Sequence, residues 1–118
     1  GLGDVYKRQV KKVIEVEPMP GMAKGVGLVV EDRDEQELYT VHICPIAYLS
    51  KRNMGFKNGD KLVLRGCFVD MDDEEIIMAA KIKIERNGKI IKVRLTSNGK
   101  PFWAMSEEEL KRELSATE

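Results

Sequence analysis

The sequence predicts an all-β domain with short helices, closed as a small Greek-key barrel. Three observations predict it. Apolar residues recur at every second position through most of the chain. Turn-forming clusters, "DRDEQE", "KNGD", "MDDEE" and "RNGK", separate these stretches at short intervals. One central stretch, "PIAYLSKRNMGF", switches to helical spacing. A chain of 118 residues suits a single domain with one core.

The elements follow in order. "VKKVIEVEP" (Val10 to Pro18) is rich in β-branched residues and reads as a first strand. "EPMPGMAKG", with Met19 and Met22, is a Pro/Gly-rich loop. Val26 to Asp32 and Leu38 to Cys44 make a second and a third strand. On the third, Tyr39, Val41 and Ile43 share one face, and Leu38, Thr40, His42 and Cys44 the other. Pro45 suits a first helical turn, Ile46, Tyr48 and Leu49 are helically spaced, and "NMG" suits an exit, so a short helix is expected. Lys61 to Asp70 is a fourth strand with Leu62, Leu64, Gly66 and Phe68 on one face, and Gly66 marks a bulge or bend. Glu75 to Glu85 is a fifth strand whose pattern breaks at Ala79–Ala80, where it is expected to bend. Asn87-Gly88 predicts a hairpin into a sixth strand, Ile90 to Thr96. Ser106 with Glu109 three residues on predicts the start of a short polar C-terminal helix. Three strands, a helix and two strands with an extra C-terminal hairpin strand form the order of an OB-fold. An open α+β sheet is the rival arrangement. Residues 10–103 are taken as the domain and 104–118 as a polar tail or short helix.

Several stretches together resemble a known family: "PMPGMAKGVGLVVE", "YTVHICPIAYLSKRNMGFKNGDKLVLRG", "IIMAAKIKIERNGKIIKVRL" and "NGKPFW". They are similar to the domain at the end of magnetosome proteins of the MamS/MamX type, which also occurs alone in small bacterial proteins. The likeness spans Val10 to Trp103. It departs at Gly27, where the family often has His, at Cys44, where it often has Gly, and at Ala47-Tyr48, where it has Trp-Tyr or similar. The resemblance implies an OB-fold module of the bacterial envelope, periplasmic or envelope-associated, and no defined reaction.

The opening "GLGDVYKRQ" has no clean period and no apolar signal core. It reads as the translation of a transposase-based sequencing adapter, so residues 1–9 are expected to be an adapter-derived scar. On that reading a natural upstream anchor or domain is missing, and the lack of a signal peptide carries no information.

The chain has 20 basic and 20 acidic residues, and leaving out the first nine makes it marginally acidic. That argues against nucleic acid, which needs a basic footprint, and the second and third strands offer Tyr39 as their only aromatic. Single-strand binding nevertheless stays open as one alternative for a barrel of this type. No apolar run reaches the length of a membrane span. With a single histidine and no nucleophile elbow, no Ser/His/Asp set can be assembled, so the protein is expected not to be an enzyme.

His42 and Cys44 point the same way from one strand, and Cys67 lies on the next. Imidazole and soft thiolates suit zinc or copper, which makes a metal or redox accessory protein a second alternative. The same residues also fit two buried, apolar-behaving cysteines beside a hydrogen-bonded histidine, or one disulfide. His42 is shared with the family pattern, and neither cysteine is. "DMDDEE" lacks the glycine of a calcium loop, and "GMAKGVG" lacks the ending of a phosphate loop. Phe102 and Trp103 in "KPFW" are expected to plug a barrel end. The leading expectation is a non-enzymatic binding or assembly module without a cofactor, whose partner is a protein or small ligand. Its candidate contact residues are Met22, Tyr39, His42 and Tyr48, chosen where OB-folds usually place ligands.

Overall fold

In the computed structural model, residues 4–17, 21, 23–49, 55–71 and 73–115 are described. Six strands run β1 (Asp4–Val16), β2 (Gly25–Asp32), β3 (Leu38–Pro45), β4 (Lys61–Met71), β5 (Glu74–Ile84) and β6 (Ile90–Lys92). Two α-helices, α1 (Ile46–Leu49) and α2 (Glu107–Ser115), flank a 3₁₀ turn over Phe102–Ala104. Pro45 ends β3 rather than opening the helix, and the amide of Ile46 donates to the carbonyl of Lys24.

The strands pair in the order β3-β2-β1-β4-β5-β6, and a further pairing joins β3 to β5. That pairing closes the ring β1-β2-β3-β5-β4. Every pairing in the ring is antiparallel except β3–β5, which is parallel and held by three register pairs, Thr40–Ile76, Val41–Ile77 and His42–Met78. Closure removes the exposed edges that an open sheet would leave. The interior is filled by Val10, Leu28, Val30, Val41, Ile43, Leu62, Leu64, Ile77, Ile82 and Ile84, all fully buried. Alternation along the strands aims these residues inward.

Bulges bend the ring. On β5, Arg65 faces Lys81 and Gly66 faces Ala79, so Ala80 is an extra residue. This is the predicted break at Ala79–Ala80 opposite Gly66. A Cβ on Gly66 would run into the carbonyl of Met78, so only glycine lets β4 approach β5 this closely. On β3, Val26 faces Cys44 and Gly27 faces His42, leaving Ile43 extra. That bulge breaks the expected alternation: Ile43 and Cys44 are both buried. A Cβ on Gly27 would lie 2.7 Å from the Val41 carbonyl, so glycine lets β2 and β3 approach closely at the bulge.

β1 is longer than expected. Its first half, Asp4 to Gln9, pairs antiparallel with Gly66 to Lys61 of β4. The residues with the adapter likeness therefore occupy strand positions. Arg8 is buried and its Nη1 lies 2.8 Å from Asp32 Oδ2. β6 is shorter than expected because the chain turns at Val93: the amides of Val93 and Arg94 both donate to the Ala80 carbonyl, at 2.9 and 3.0 Å. The predicted cap of α2 forms, with the Glu109 amide donating to Ser106 Oγ at 3.2 Å. Phe102 is buried in the core, as expected of a plug, while Trp103 is only partly covered. No helix among the described residues is long and apolar enough to cross a membrane.

Asp60 secures the turn before β4. Its buried carboxylate accepts from Arg86 Nε at 2.8 Å and from the Lys57 amide at 2.9 Å. The Arg86 hydrogen bond holds the Asp60 carboxyl below its ordinary value of 3.8.

Two outcomes follow. Gly66→Ala is expected to lower stability by about 1–3 kcal/mol, the usual scale of overpacking, read from the denaturant midpoint. Because the folded carboxyl titrates lower than the unfolded one, the contribution of Asp60 is complete above about 3.8 and is lost as pH falls through its lowered value. Acid unfolding of Asp60→Asn, followed by circular dichroism, should therefore show a shallower loss of stability over that window than the parent.

Candidate functional site

One edge of β5 is shared by two strands. Residues Ile76 to Met78 pair with β3, and Lys81 to Lys83 pair with β6. The bulge at Ala79–Ala80 lies between, where the parallel pairing has ended and the hairpin pairing has not begun. Arg94 fills this junction. Its Nη1 donates to the carbonyl of Ile43, the extra residue on β3, at 3.0 Å, and also to the carbonyl of Ala79 on β5. One guanidinium nitrogen thus staples β3 to β5 just beyond their last register pair.

Arg94 is 9% exposed, and no carboxylate pairs with it among the described residues. Its charge is offset by the two carbonyls and by the ring of Trp103, 4.9 Å from the guanidinium carbon. Burial lowers its pKa from 12.5 to about 10, and the nearby Cys44 and Cys67 act in the opposite sense. It stays cationic at neutral pH. Trp103 is delivered locally: the Phe102 amide donates to the Val93 carbonyl at 3.0 Å, and the 3₁₀ turn carries the next residue over Arg94.

Arg94 and Trp103 line a pocket of about 430 Å³. The remaining walls are mostly apolar or sulfur-bearing, including Val26, Cys44, Met71 and Met78, with the imidazole of His42. Its size falls within the range of small-molecule sites. Burial lowers the pKa of His42, with Arg94 acting in the same sense and Glu74 against it. Burial also pushes the Cys44 thiol up to about 11, despite the opposing pull of Arg94. Cys44 therefore sits as a neutral thiol.

The structure separates the sequence-predicted contact residues. His42 lines this pocket. Tyr48 is buried and lines a neighbouring pocket with Phe102, Trp103 and Leu110, its ring centroid 5.7 Å from that of Trp103. Tyr39 belongs to a different cluster. Its hydroxyl donates to Glu37 Oε2 at 2.6 Å, and its ring contacts Phe68 and faces Arg8. The hydrogen bond to Glu37 raises its pKa to about 12. Met22 lies outside the described residues.

His42 and Cys67 stand on either side of Met78, their common partner in register. Cys44 and Cys67 are unbridged. Among the described residues, no group of three or more His, Cys, Asp or Glu is placed to hold a metal ion. The residue that sequence reasoning missed is Arg94. It reads as one more basic residue in "IIKVRLT", and only the strand junction places it indoors.

A model of the MamS/MamX magnetosome protein family matches residues 5–94. The chain belongs to the MamS/MamX magnetosome protein family. The match covers the whole ring and ends on Arg94, so the stapling arginine falls inside the family region, while Trp103 lies beyond it. No curated protein and no solved structure matches the chain significantly.

The folded Cys44 thiol keeps its proton at pH values where an unfolded thiol ionises. Stability should therefore fall as pH rises from about 9.0 toward about 11. Cys44→Ala is expected to flatten that alkaline slope, measured as urea midpoints at stepped pH. In the native parent, Cys44 should resist thiol reagents at pH 8 and react only on unfolding, as read by mass spectrometry.

Proposed function

We propose that this MamS/MamX-family chain is a non-enzymatic binding or assembly module of the bacterial cell envelope, built on an OB-type barrel, with the Arg94–Trp103 pocket as its contact site. The ring order β1-β2-β3-β5-β4, with α1 falling between β3 and β4 in the chain, supports the OB-type reading. The envelope setting comes from the family resemblance.

The observation that carries the binding reading is the pocket itself. An apolar, concave site with a few convergent polar groups is where small partners bind. Here those groups are His42 and a buried guanidinium. The same geometry offers no activated nucleophile: the neighbouring thiol has a raised pKa, and the single histidine of the chain has a lowered one. A fixed cation beside His42 and Cys44 also repels a metal ion, which weighs against the metal or redox alternative.

A fragment screen read by amide correlation spectra of the labelled protein tests this reading. Shifts should concentrate at Val26, His42, Cys44 and Trp103. An absence of shifts, or shifts scattered over distant strands, would overturn it.

A further inference from the structure

We propose that the pocket takes an amphipathic monoanion, a carboxylate carried on an apolar body, with Arg94 as its anchor. This rests on the pocket being the contact site, and it names the chemistry of the occupant.

The argument begins with the donors of Arg94. A guanidinium has five N–H groups in a fixed plane. Two are on Nη1, the nitrogen that donates to the carbonyls of Ile43 and Ala79. No hydrogen bond from Nε or Nη2 is found among the described residues. These two nitrogens form one edge of the guanidinium, the side-on fork that matches the two oxygens of a carboxylate. The Nη1 bonds hold the plane in place, and Trp103 lies against the group at 4.9 Å. The fork is therefore preorganised, so a ligand loses little in ordering it.

Charge decides the valence of the ligand. A buried cation without a counter-charge costs several kcal/mol, which its hydrogen bonds and ring contact only partly recover. A single negative charge neutralises it. A second would lie uncompensated in an apolar site and face the same desolvation penalty, which disfavours a dianionic phosphate.

The walls decide the rest of the ligand. Val26, Met71 and Met78 offer no charge, and methionine side chains adapt to irregular apolar shapes. At about 30 Å³ for a water-sized unit, a pocket of about 430 Å³ accommodates a chain or ring system of roughly a dozen heavy atoms. His42, largely neutral at neutral pH because its pKa is lowered, adds a polar contact without adding charge.

The test uses the purified chain and decanoate, decanol, decylamine, acetate and inorganic phosphate as probes. The single tryptophan, Trp103, reports by fluorescence, and calorimetry confirms each affinity. Decanoate should bind saturably and at least tenfold more tightly than decanol, with decylamine, acetate and phosphate weaker still. In Arg94→Gln the preference for decanoate over decanol should collapse to within about twofold, a readout that a uniform structural loss would not produce. Since Arg94 also staples the ring, Arg94→Gln could fail to fold, so Ala23→Phe provides a second arm. Ala23 is exposed and lines the pocket, and its enlargement should block decanoate while near-ultraviolet circular dichroism stays unchanged. Equal affinity for decanoate and decanol, tight binding of phosphate alone, or no binding of decanoate would each overturn the proposal. If the fragment screen still maps to the pocket in those cases, the binding-site reading survives and only the ligand class falls.

Discussion

The seam that closes this ring, the parallel pairing of β3 with β5, is reinforced by one contact, the Nη1 group of Arg94 held between the carbonyls of Ile43 and Ala79. That seam has the fewest register pairs of any in the ring. β3 and β5 run parallel and share three register pairs, whereas β4 and β5 share ten. Beyond His42 and Met78 the two strands diverge, and their next carbonyls would be buried without partners. Leaving a buried carbonyl unpaired costs on the order of 1–3 kcal/mol. A charged donor serving both carbonyls removes that cost and ties the strands together in one step.

The bulges make this contact possible. The extra residue on β3 is Ile43, which has no register partner on β2, and the extra residue on β5 is Ala80, adjacent to Ala79. The Ala80 carbonyl in turn accepts the amides of Val93 and Arg94, which stops β6 early and turns Arg94 toward the junction. Gly66 permits the bulge from the opposite strand because a side chain there would strike the Met78 carbonyl. A single backbone irregularity thus bends the ring, ends the hairpin strand and aims the arginine. The pocket follows from the same arrangement, since the space beside a diverging seam is lined by whatever the strands present there.

Membership of the MamS/MamX family extends over all five ring strands and stops at Arg94. The segment that follows, through Phe102 and Trp103, seals the core and covers the arginine with an aromatic face. Scaffold and lid are therefore contiguous in the chain, with Arg94 at the boundary. The first half of β1 is held by backbone pairing. Asp4 to Gln9 pair with β4 along six registers, because the ladder is made by backbone groups that every residue except proline supplies.

Much of this architecture was legible in the residues. Alternation located β2 to β5 and the second half of β1, while Asp4–Gln9 fell outside the expected first strand and β6 ended earlier than expected; the change of period at Pro45 located α1, Asn87-Gly88 located the last hairpin, and Ser106 with Glu109 located the start of α2. Even the bend was legible, from a glycine in mid-strand opposite two adjacent alanines. The resemblance carried by these stretches pointed to the correct family. What went unread were the consequences of the bulges. A strict period of two puts Ile43 and Cys44 on opposite faces, and an extra residue buries both.

By itself, the sequence determined the local elements and the closed all-β class, because alternation, turn chemistry and capping act over a few neighbouring residues. Tertiary structure alone decided that Arg94, rather than Tyr39 or Tyr48, shares a pocket with His42. Whether a given arginine is solvated or buried depends on which strands end beside it, and here those strands are separated from it by 15 and 51 positions in the chain.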